Sequence, residues 1–230
     1  MFIALDSNGN RIDVKNAEKG NDYFCPVCNN PLQVKEGEIK IKHFAHIPGS
    51  DCDDLSTKMS EWHRNWQEQF PADSREIVIT IDDESRRADV AFENYVIEFQ
   101  NSPITAEEFE QRNAFYTKAG KKVIWIFNLI DDFRKGHFVK RETFRGGAEW
   151  KWKYSNQCFR NFVPQKKKGE VILLFQLKDA DFLNNDNPPN YLKRVSYVKE
   201  LCSPPFSIIQ MVDNPSNKQS LLQWITSTLP

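Results

Sequence analysis

The chain of 230 residues has no apolar run of about eighteen residues, the length that a membrane-spanning helix needs. Its N-terminus also lacks the basic segment and the long apolar segment that are typical of a secretory signal. The formal net charge is only −1, so total charge indicates neither a nucleic-acid nor a membrane partner. With 40% hydrophobic and 13% aromatic residues, the chain can still bury a sizeable core. We therefore expect a cytoplasmic globular protein with no membrane partner.

Cysteine is also scarce, and the 5 cysteines are odd in number. An odd count in a reducing compartment argues against a disulfide framework and favours metal binding by the cysteines near the N-terminus. Cys25-Pro-Val-Cys28 has the form of a zinc knuckle, in which two thiolates point at one ion. Asn29 follows at the position where such turns adopt a left-handed conformation. The candidate ligands are Cys25, Cys28, His43, His46 and Cys52.

These candidates outnumber the four positions of a tetrahedral site. Cys52 precedes a predicted helix, whose N-terminus stabilises a thiolate, so we include it. Of the two histidines, His46 is favoured because His43 still belongs to a predicted strand over 40–44. A redox pair is the alternative for the cysteine motif, but no thioredoxin-type strand and helix surround it. We therefore predict a structural Zn²⁺ site that uses all four positions.

Periodicity, caps and turn residues predict three domains: a zinc-binding module (1–53), a catalytic core (54–133) and a β-rich extension (134–230). An Asn8-Gly9 turn predicts a hairpin in the first domain. The core is predicted to begin with a helix over 55–70 that is capped by Ser56, followed by three strands over 76–82, 87–92 and 95–100. A second helix over 105–119 and a strand over 122–128 complete it. This α-β-β-β-α-β order is that of restriction-endonuclease-like PD-(D/E)XK nucleases, so we predict an α/β fold. Strands over 149–154, 171–177 and 192–198 and a terminal helix after Pro215 complete the prediction.

Two carboxylates in the predicted core carry the strongest chemical signal. If residues 93–94 form a two-residue hairpin loop, Asp89 lies directly opposite Glu98, and Gln100 shares the face of Glu98. Like charges so placed repel each other, and apolar neighbours add a desolvation cost. A Mg²⁺ or Mn²⁺ ion would remove both problems, so removing either carboxylate should relieve repulsion rather than weaken the fold. The alternative is a surface hairpin in which a neighbouring arginine neutralises Asp89.

The chain resembles the competence protein CoiA family over residues 20–130. The matching segments are Phe24-Cys-Pro-Val-Cys, Lys42-His-Phe-Ala-His, Ser60-Glu-Trp-His63, Arg87-Ala-Asp-Val, Val96-Ile-Glu-Phe-Gln-Asn-Ser, and Arg112-x-x-x-Tyr116 before Val123-Ile-Trp-Ile-Phe. The resemblance implies a PD-(D/E)XK-type nuclease in which Asp89 and Glu98 bind the catalytic metal.

The same resemblance assigns further catalytic residues. Glu61 would be the acidic residue of the first helix, with His63 beside it, although a solvated helix face is the alternative for both. Gln100 stands where the usual motif has a lysine, giving an E-x-Q variant. Because glutamine is neutral, the chemistry would depend more heavily on the metal. Arg112 is a candidate DNA contact, with a packed helix face as the alternative.

A basic and aromatic stretch begins the C-terminal extension. Residues 134–168 contain eleven lysines or arginines and two glutamates, a local net charge of +9, with seven aromatic residues between them. In a strand, Trp150-Lys-Trp-Lys-Tyr would present Lys151 and Lys153 on the face opposite the aromatic side chains. The two lysines could contact phosphates while the aromatics pack on the core or stack on bases; a solvated outer face is the alternative.

These observations predict a Mg²⁺- or Mn²⁺-dependent deoxyribonuclease. The resemblance suggests work on single-stranded or recombining DNA, and defence against foreign DNA fits equally well. A recombination or defence protein would then be a partner. The rival interpretation is a nuclease-fold module that binds DNA or a recombination partner without cutting, which the missing lysine favours.

Overall fold

The computed structural model of the chain describes residues 1–37, 41–49, 52, 60–142, 148–153, 171–179, 192–200 and 207–213. The chain divides into two compact units, Met1–Glu93 and Asn94–Pro230. This division falls inside the predicted 54–133 core, and the three predicted domains stay predictions. Within the described ranges, no helix is both long and apolar enough to span a bilayer.

The first unit begins with a five-stranded antiparallel sheet in the order β2-β1-β3-β4-β5. Its strands are β1 (Ile3–Leu5), β2 (Arg11–Asp13), β3 (Tyr23–Phe24), β4 (Pro31–Lys35) and β5 (His43–His46). The predicted hairpin of β1 and β2 is confirmed. Gly9 in its turn has a φ of +80°, a conformation that glycine adopts without strain.

Short strands of this kind depend on a shared apolar core, because a small sheet buries little surface by itself. The core of the sheet includes the buried side chains of Phe2, Ala4, Val14, Tyr23, Leu32 and Phe44. Cys25 and Cys52 belong to the same cluster. The candidate thiol ligands therefore lie within the packed interior of the module.

Helix α1 (Glu61–Gln67) follows, and its N-cap is Ser60. The Ser60 hydroxyl accepts a hydrogen bond from the backbone N–H of His63, and the His63 side chain accepts one from the Ser60 backbone N–H. The predicted start at residue 55 with a Ser56 cap is therefore corrected for the described helix, because the capping box fixes its first turn at Glu61. Residues 53–59, with Ser56, lie outside the described residues.

An antiparallel pair of strands, β6 (Arg75–Ile81) and β7 (Glu84–Phe92), completes the first unit. Both were predicted within a few residues of these bounds. Asp82 in the connecting turn has a φ of 53°, a conformation that Asp tolerates better than most residues. Glu76 also has a positive φ, 47°, inside β6, and no sequence signal indicated this.

The described part of the second unit contains seven strands in the order β10-β11-β14-β13-β12-β9-β8. They are β8 (Tyr95–Gln100), β9 (Lys122–Asn128), β10 (Phe138–Glu142), β11 (Ala148–Trp152), β12 (Val171–Gln176), β13 (Leu192–Glu200) and β14 (Ser207–Asp213). β8, β9 and β12 run parallel, and the pairs from β12 to β10 through β13, β14 and β11 are antiparallel. The apolar runs of β9 and β12 suit strands that are buried on both faces.

Helix α2 (Ala106–Lys118) connects β8 to β9 in the second unit. Thr105 caps its N-terminus, and Gly120 follows its C-terminus with a φ of 74°, both as predicted. A short helix, α3 (Ile130–Arg134), comes after β9 and was not predicted. The predicted terminal helix after residue 215 lies outside the described residues.

Candidate functional site

The first site is a group of four potential metal ligands in the first unit. Sulfur or imidazole nitrogen atoms of Cys25, Cys28, His46 and Cys52 all lie within 4.8 Å of one another. Cys28 Sγ is 3.3 Å from His46 Nε2. Because Zn–S bonds are about 2.3 Å long, ligand atoms at these separations can surround one ion. Three sulfurs and one imidazole nitrogen form a donor set that suits zinc, so the residues present can hold a metal ion.

Backbone hydrogen bonds build the turn that carries the two cysteines of the motif. The Asn29 N–H donates to the Cys25 carbonyl at 2.9 Å, and the Cys25 N–H donates to the Asn30 carbonyl at 2.9 Å. The Val27 N–H points at Cys25 Sγ, 3.4 Å away. Asn29 has a φ of 57°, so the predicted left-handed turn is confirmed. Burial raises the pKa of the Cys25 thiol, whereas backbone hydrogen bonds from Cys28 and Val27 oppose that shift.

The alternation of strand β5 decides between the two histidines. Phe44 and His46 are buried on one side of the strand, and His43 points to the other side, where it is half-buried. The Nδ1 atom of His43 lies 2.8 Å from the carbonyl oxygen of Ile41. The described group of potential ligands therefore contains the preferred His46, and His43 is corrected, because it does not belong to that group.

The candidate catalytic residues of the first unit lie on α1 and β7. Asp89 is buried on β7, and the Gln67 side chain donates a 3.4 Å hydrogen bond to its backbone carbonyl. Glu61 is exposed in the first turn of α1. His63 is buried, with its Nδ1 atom 2.9 Å from the Ser60 hydroxyl oxygen, so its ring helps to cap the helix. The structure therefore gives His63 a local structural role.

Glu76 is a buried carboxylate in the first unit that sequence reasoning missed. Its oxygens accept hydrogen bonds from the backbone N–H groups of Phe2 at 2.8 Å and Ile3 at 3.2 Å. The Arg87 guanidinium lies 3.6 Å from the same carboxylate, and both side chains are almost fully buried. This carboxylate ties strand β1 of the N-terminal sheet to the β6–β7 pair. It also gives Arg87 a carboxylate partner, whereas the alternative interpretation of the sequence paired a neighbouring arginine with Asp89.

In the second unit, Glu98 lies on β8 and is 1% exposed. The Arg112 guanidinium on α2 donates to its Oε2 atom over 2.8 Å, and only 14% of the Arg112 side chain is exposed. Tyr116, one helical turn later, is fully buried. Burial, and then the neighbouring Glu98 charge, raise the pKa of Tyr116 well above its usual value. Arg112, predicted as a DNA contact, is thus placed in a buried ion pair.

Gln100 ends β8, where the usual motif has its lysine. Its side-chain amide donates to the Ser102 carbonyl at 2.6 Å and lies 3.4 Å from the Ser102 hydroxyl oxygen. Gln100 is thus bound to its own loop. Asp89 belongs to the first unit and Glu98 to the second, and the predicted pairing of these two carboxylates stays a prediction.

Part of the basic and aromatic stretch is described. Trp152 at the end of β11 is 2% exposed, and its ring stacks on Phe138 at a centroid distance of 5.1 Å and contacts Phe175 at 5.6 Å. This aromatic side chain therefore packs in the core instead of facing unpaired bases. Lys151 is half-buried and Lys153 is exposed. Residues 143–147 and 154–168 lie outside the described part of the chain.

The described residues thus form a mixed α/β protein with a cysteine–histidine group that can hold a metal ion. Two family models match the chain: the N-terminal domain of competence protein CoiA over residues 7–54, and the nuclease-like domain of competence protein CoiA over residues 60–183. The chain belongs to the competence protein CoiA family, which confirms the resemblance seen in the sequence. Neither a curated protein nor a solved structure matches it significantly.

Proposed function

We propose that this chain is a Mg²⁺- or Mn²⁺-dependent deoxyribonuclease with a PD-(D/E)XK-type core, acting in the cytoplasm on DNA that is taken up, recombined or foreign. The observation that carries the proposal is the burial of Asp89 and Glu98, at 7% and 1% exposure, within the part of the chain that matches a nuclease-like domain. A carboxylate is costly to bury, so two of them on consecutive strands require a cationic partner or a function.

In this proposal Asp89 and Glu98 hold the divalent ion with their carboxylate oxygens. When bound, such an ion supplies a water of lowered pKa and neutralises charge on the phosphoryl group. The Gln67 hydrogen bond to the Asp89 backbone supports the position of that strand residue. Glu61, on the exposed first turn of α1, would serve as an additional acidic group.

We assign a structural zinc ion to the group formed by Cys25, Cys28, His46 and Cys52. Support comes from the donor set, which provides four ligands and so leaves no open position for catalysis. Burial of three of the four residues also fits a structural ion. The ion would cross-link the knuckle, strand β5 and the segment before α1.

A second candidate function is DNA or partner binding without cleavage. Gln100 supports it, because a neutral amide that is bound to Ser102 does not supply the positive charge of the usual lysine. The two candidates differ in one measurable property, which is metal-dependent cleavage.

The test compares Asp89→Asn and Glu98→Gln with the wild-type protein on labelled single- and double-stranded DNA, and on RNA, with Mg²⁺ or Mn²⁺. Each change should reduce cleavage by several orders of magnitude while DNA binding persists. Glu107→Gln, which changes an exposed acidic residue in the first turn of α2, is the control and should cleave normally. Metal-dependent cleavage that survives both substitutions would refute the assigned site. DNA binding by a wild-type protein that never cleaves would favour the binding module.

A further inference from the structure

The ion pair between Glu98 and Arg112 lies in an environment that fixes both side chains. In the parallel register of β8 and β9, Glu98 is the neighbour of Trp125. The Arg112 guanidinium lies over the Trp125 ring, 5.7 Å from its centroid, and 2.8 Å from the Glu98 carboxylate. A guanidinium that stacks on an indole and donates to a carboxylate is held in one orientation by both contacts.

The indole ring that supports Arg112 is itself anchored. The Trp125 ring N–H donates a 2.8 Å hydrogen bond to the side-chain oxygen of Asn113, the residue after Arg112 on α2. The ring also packs against Phe109 of the same helix at a centroid distance of 5.0 Å. Helix α2 and strand β9 therefore set the position of the guanidinium before any ligand binds. Such preorganisation is what a site needs in order to hold a charged group without reorganising.

Arg112 provides a positive charge next to the buried Glu98 carboxylate. Burying a carboxylate that is 1% exposed, like Glu98, is costly unless a cation or hydrogen-bond donors lie beside it. Gln100, the residue that replaces the motif lysine, is neutral and donates to Ser102. Arg112, on helix α2, brings a permanent positive charge to Glu98 on the same strand as Gln100.

We propose that Arg112 is a positioning residue of the nuclease site: it holds the Glu98 carboxylate in one orientation for the divalent ion, and it supplies the positive charge that Gln100 lacks. This role rests on the proposed function. It differs from the DNA contact predicted from the sequence, because Arg112 acts through Glu98 and not on a phosphate of bound DNA. The two roles have different consequences for metal binding, which allows them to be separated.

The experiment uses the full-length chain with Arg112→Met, which keeps much of the side-chain volume but no charge, and Arg112→Lys, which keeps the charge. Lys15→Met is the control, because Lys15 makes an exposed ion pair with Glu68 and lies outside every candidate site. Three properties are measured: Mn²⁺ binding without DNA, the kcat and KM of cleavage, and the thermal melt. Arg112→Met should weaken Mn²⁺ binding and lower kcat by about 10- to 100-fold each, with the KM for DNA little changed. Arg112→Lys should recover part of both losses, and Lys15→Met should match the wild type.

Several results would overturn this role. A folded Arg112→Met protein with wild-type Mn²⁺ binding but a raised KM would assign Arg112 to DNA contact. Tighter Mn²⁺ binding by that variant would show that the arginine competes with the ion. If Arg112→Met does not fold, the same criteria apply to Arg112→Gln, which removes the charge but keeps a hydrogen-bond donor: weaker Mn²⁺ binding supports the role and unchanged binding overturns it. A wild-type protein that neither binds Mn²⁺ nor cleaves would overturn the proposed function itself, whereas an active wild type with an unaffected variant overturns only the role of Arg112.

Discussion

Replacing Glu76 by glutamine should destabilise the first unit strongly, although this residue lies outside every motif. The carboxylate accepts hydrogen bonds from two consecutive backbone N–H groups, of Phe2 and Ile3, and pairs with the buried Arg87. Glutamine keeps one acceptor oxygen and turns an NH₂ group toward the second donor or toward the guanidinium. One buried donor then loses its acceptor, and Arg87 loses a negative partner.

The magnitude follows from these losses. A buried backbone donor without an acceptor costs about 1–3 kcal/mol, and breaking a buried ion pair by removing one charge costs about 3–5 kcal/mol. The two costs share one carboxylate and do not add fully, so we expect a loss of about 3–5 kcal/mol in the free energy of unfolding. Glu76 also holds a left-handed φ of 47°, which costs a non-glycine residue about 1–2 kcal/mol. Its contacts must exceed that strain for the conformation to persist.

Two assays test this reasoning at constant zinc concentration. Urea denaturation measures the free energy of unfolding, and hydrogen exchange of the N-terminal peptide measures protection of the Phe2 and Ile3 amides. Glu84→Gln is the control, because Glu84 pairs with Arg86 at the surface of β7, and it should change stability by less than about 1 kcal/mol. If Glu76→Gln were as stable as this control and the two amides stayed protected, the carboxylate would not tie β1 to β6.

Two further predictions concern the metal group and the basic stretch. Elemental analysis of the wild type should find roughly one zinc per chain; His46→Ala should lose this zinc and His43→Ala should retain it. Equal zinc content in the two variants would refute the assigned ligand set. Changing Lys151 and Lys153 together to Ala should weaken DNA binding. The slope of log affinity against log salt concentration should fall by roughly one unit for each phosphate that the protein no longer neutralises. An unchanged slope would place both lysines on a solvated face.

Local signals in the sequence predicted those features of the fold that local physics decides. The Asn8-Gly9 turn, the Asn29 knuckle and the Thr105 and Gly120 ends of α2 each depend on a few neighbouring residues, and each is confirmed. The first turn of α1 was not predicted at Glu61, because the reciprocal bonds between Ser60 and His63 that fix it there do not show in a sequence pattern.

Features that depend on distant residues could not be predicted in the same way. Glu76 contacts residues more than seventy positions away, at the N-terminus, and nothing in its own strand indicates that. The parallel pairing of β12 with β9 is equally non-local. His46 was preferred on strand membership, but the deciding reason is the alternation of β5, which buries it beside the cysteines. The direction of the Glu98 side chain could not be predicted, because β8 is buried on both faces and shows no alternation of buried and exposed residues.

The pairing of Glu98 with Arg112 changes what a substitution at the candidate site should do to stability. From the sequence, two facing carboxylates should repel, so removing one should leave the fold as stable or more stable. In the structure Glu98 has a buried guanidinium 2.8 Å away, and Glu98→Gln would leave that cation without its carboxylate. We therefore expect Glu98→Gln to lose both cleavage and stability. Reduced cleavage alone would not show whether Glu98 is a metal ligand or a structural partner of Arg112.

A double substitution separates these two roles of Glu98. Replacing a buried ion pair by neutral groups of similar volume is often neutral or stabilising, whereas removing one partner costs about 3–5 kcal/mol. Glu98→Gln combined with Arg112→Met should therefore recover most of the thermal stability that Glu98→Gln alone loses. Cleavage should stay abolished in the double variant, because its metal ligand is still missing. If the double variant regained cleavage together with stability, Glu98 would be a structural partner of Arg112, and the catalytic metal would have to be held by other residues.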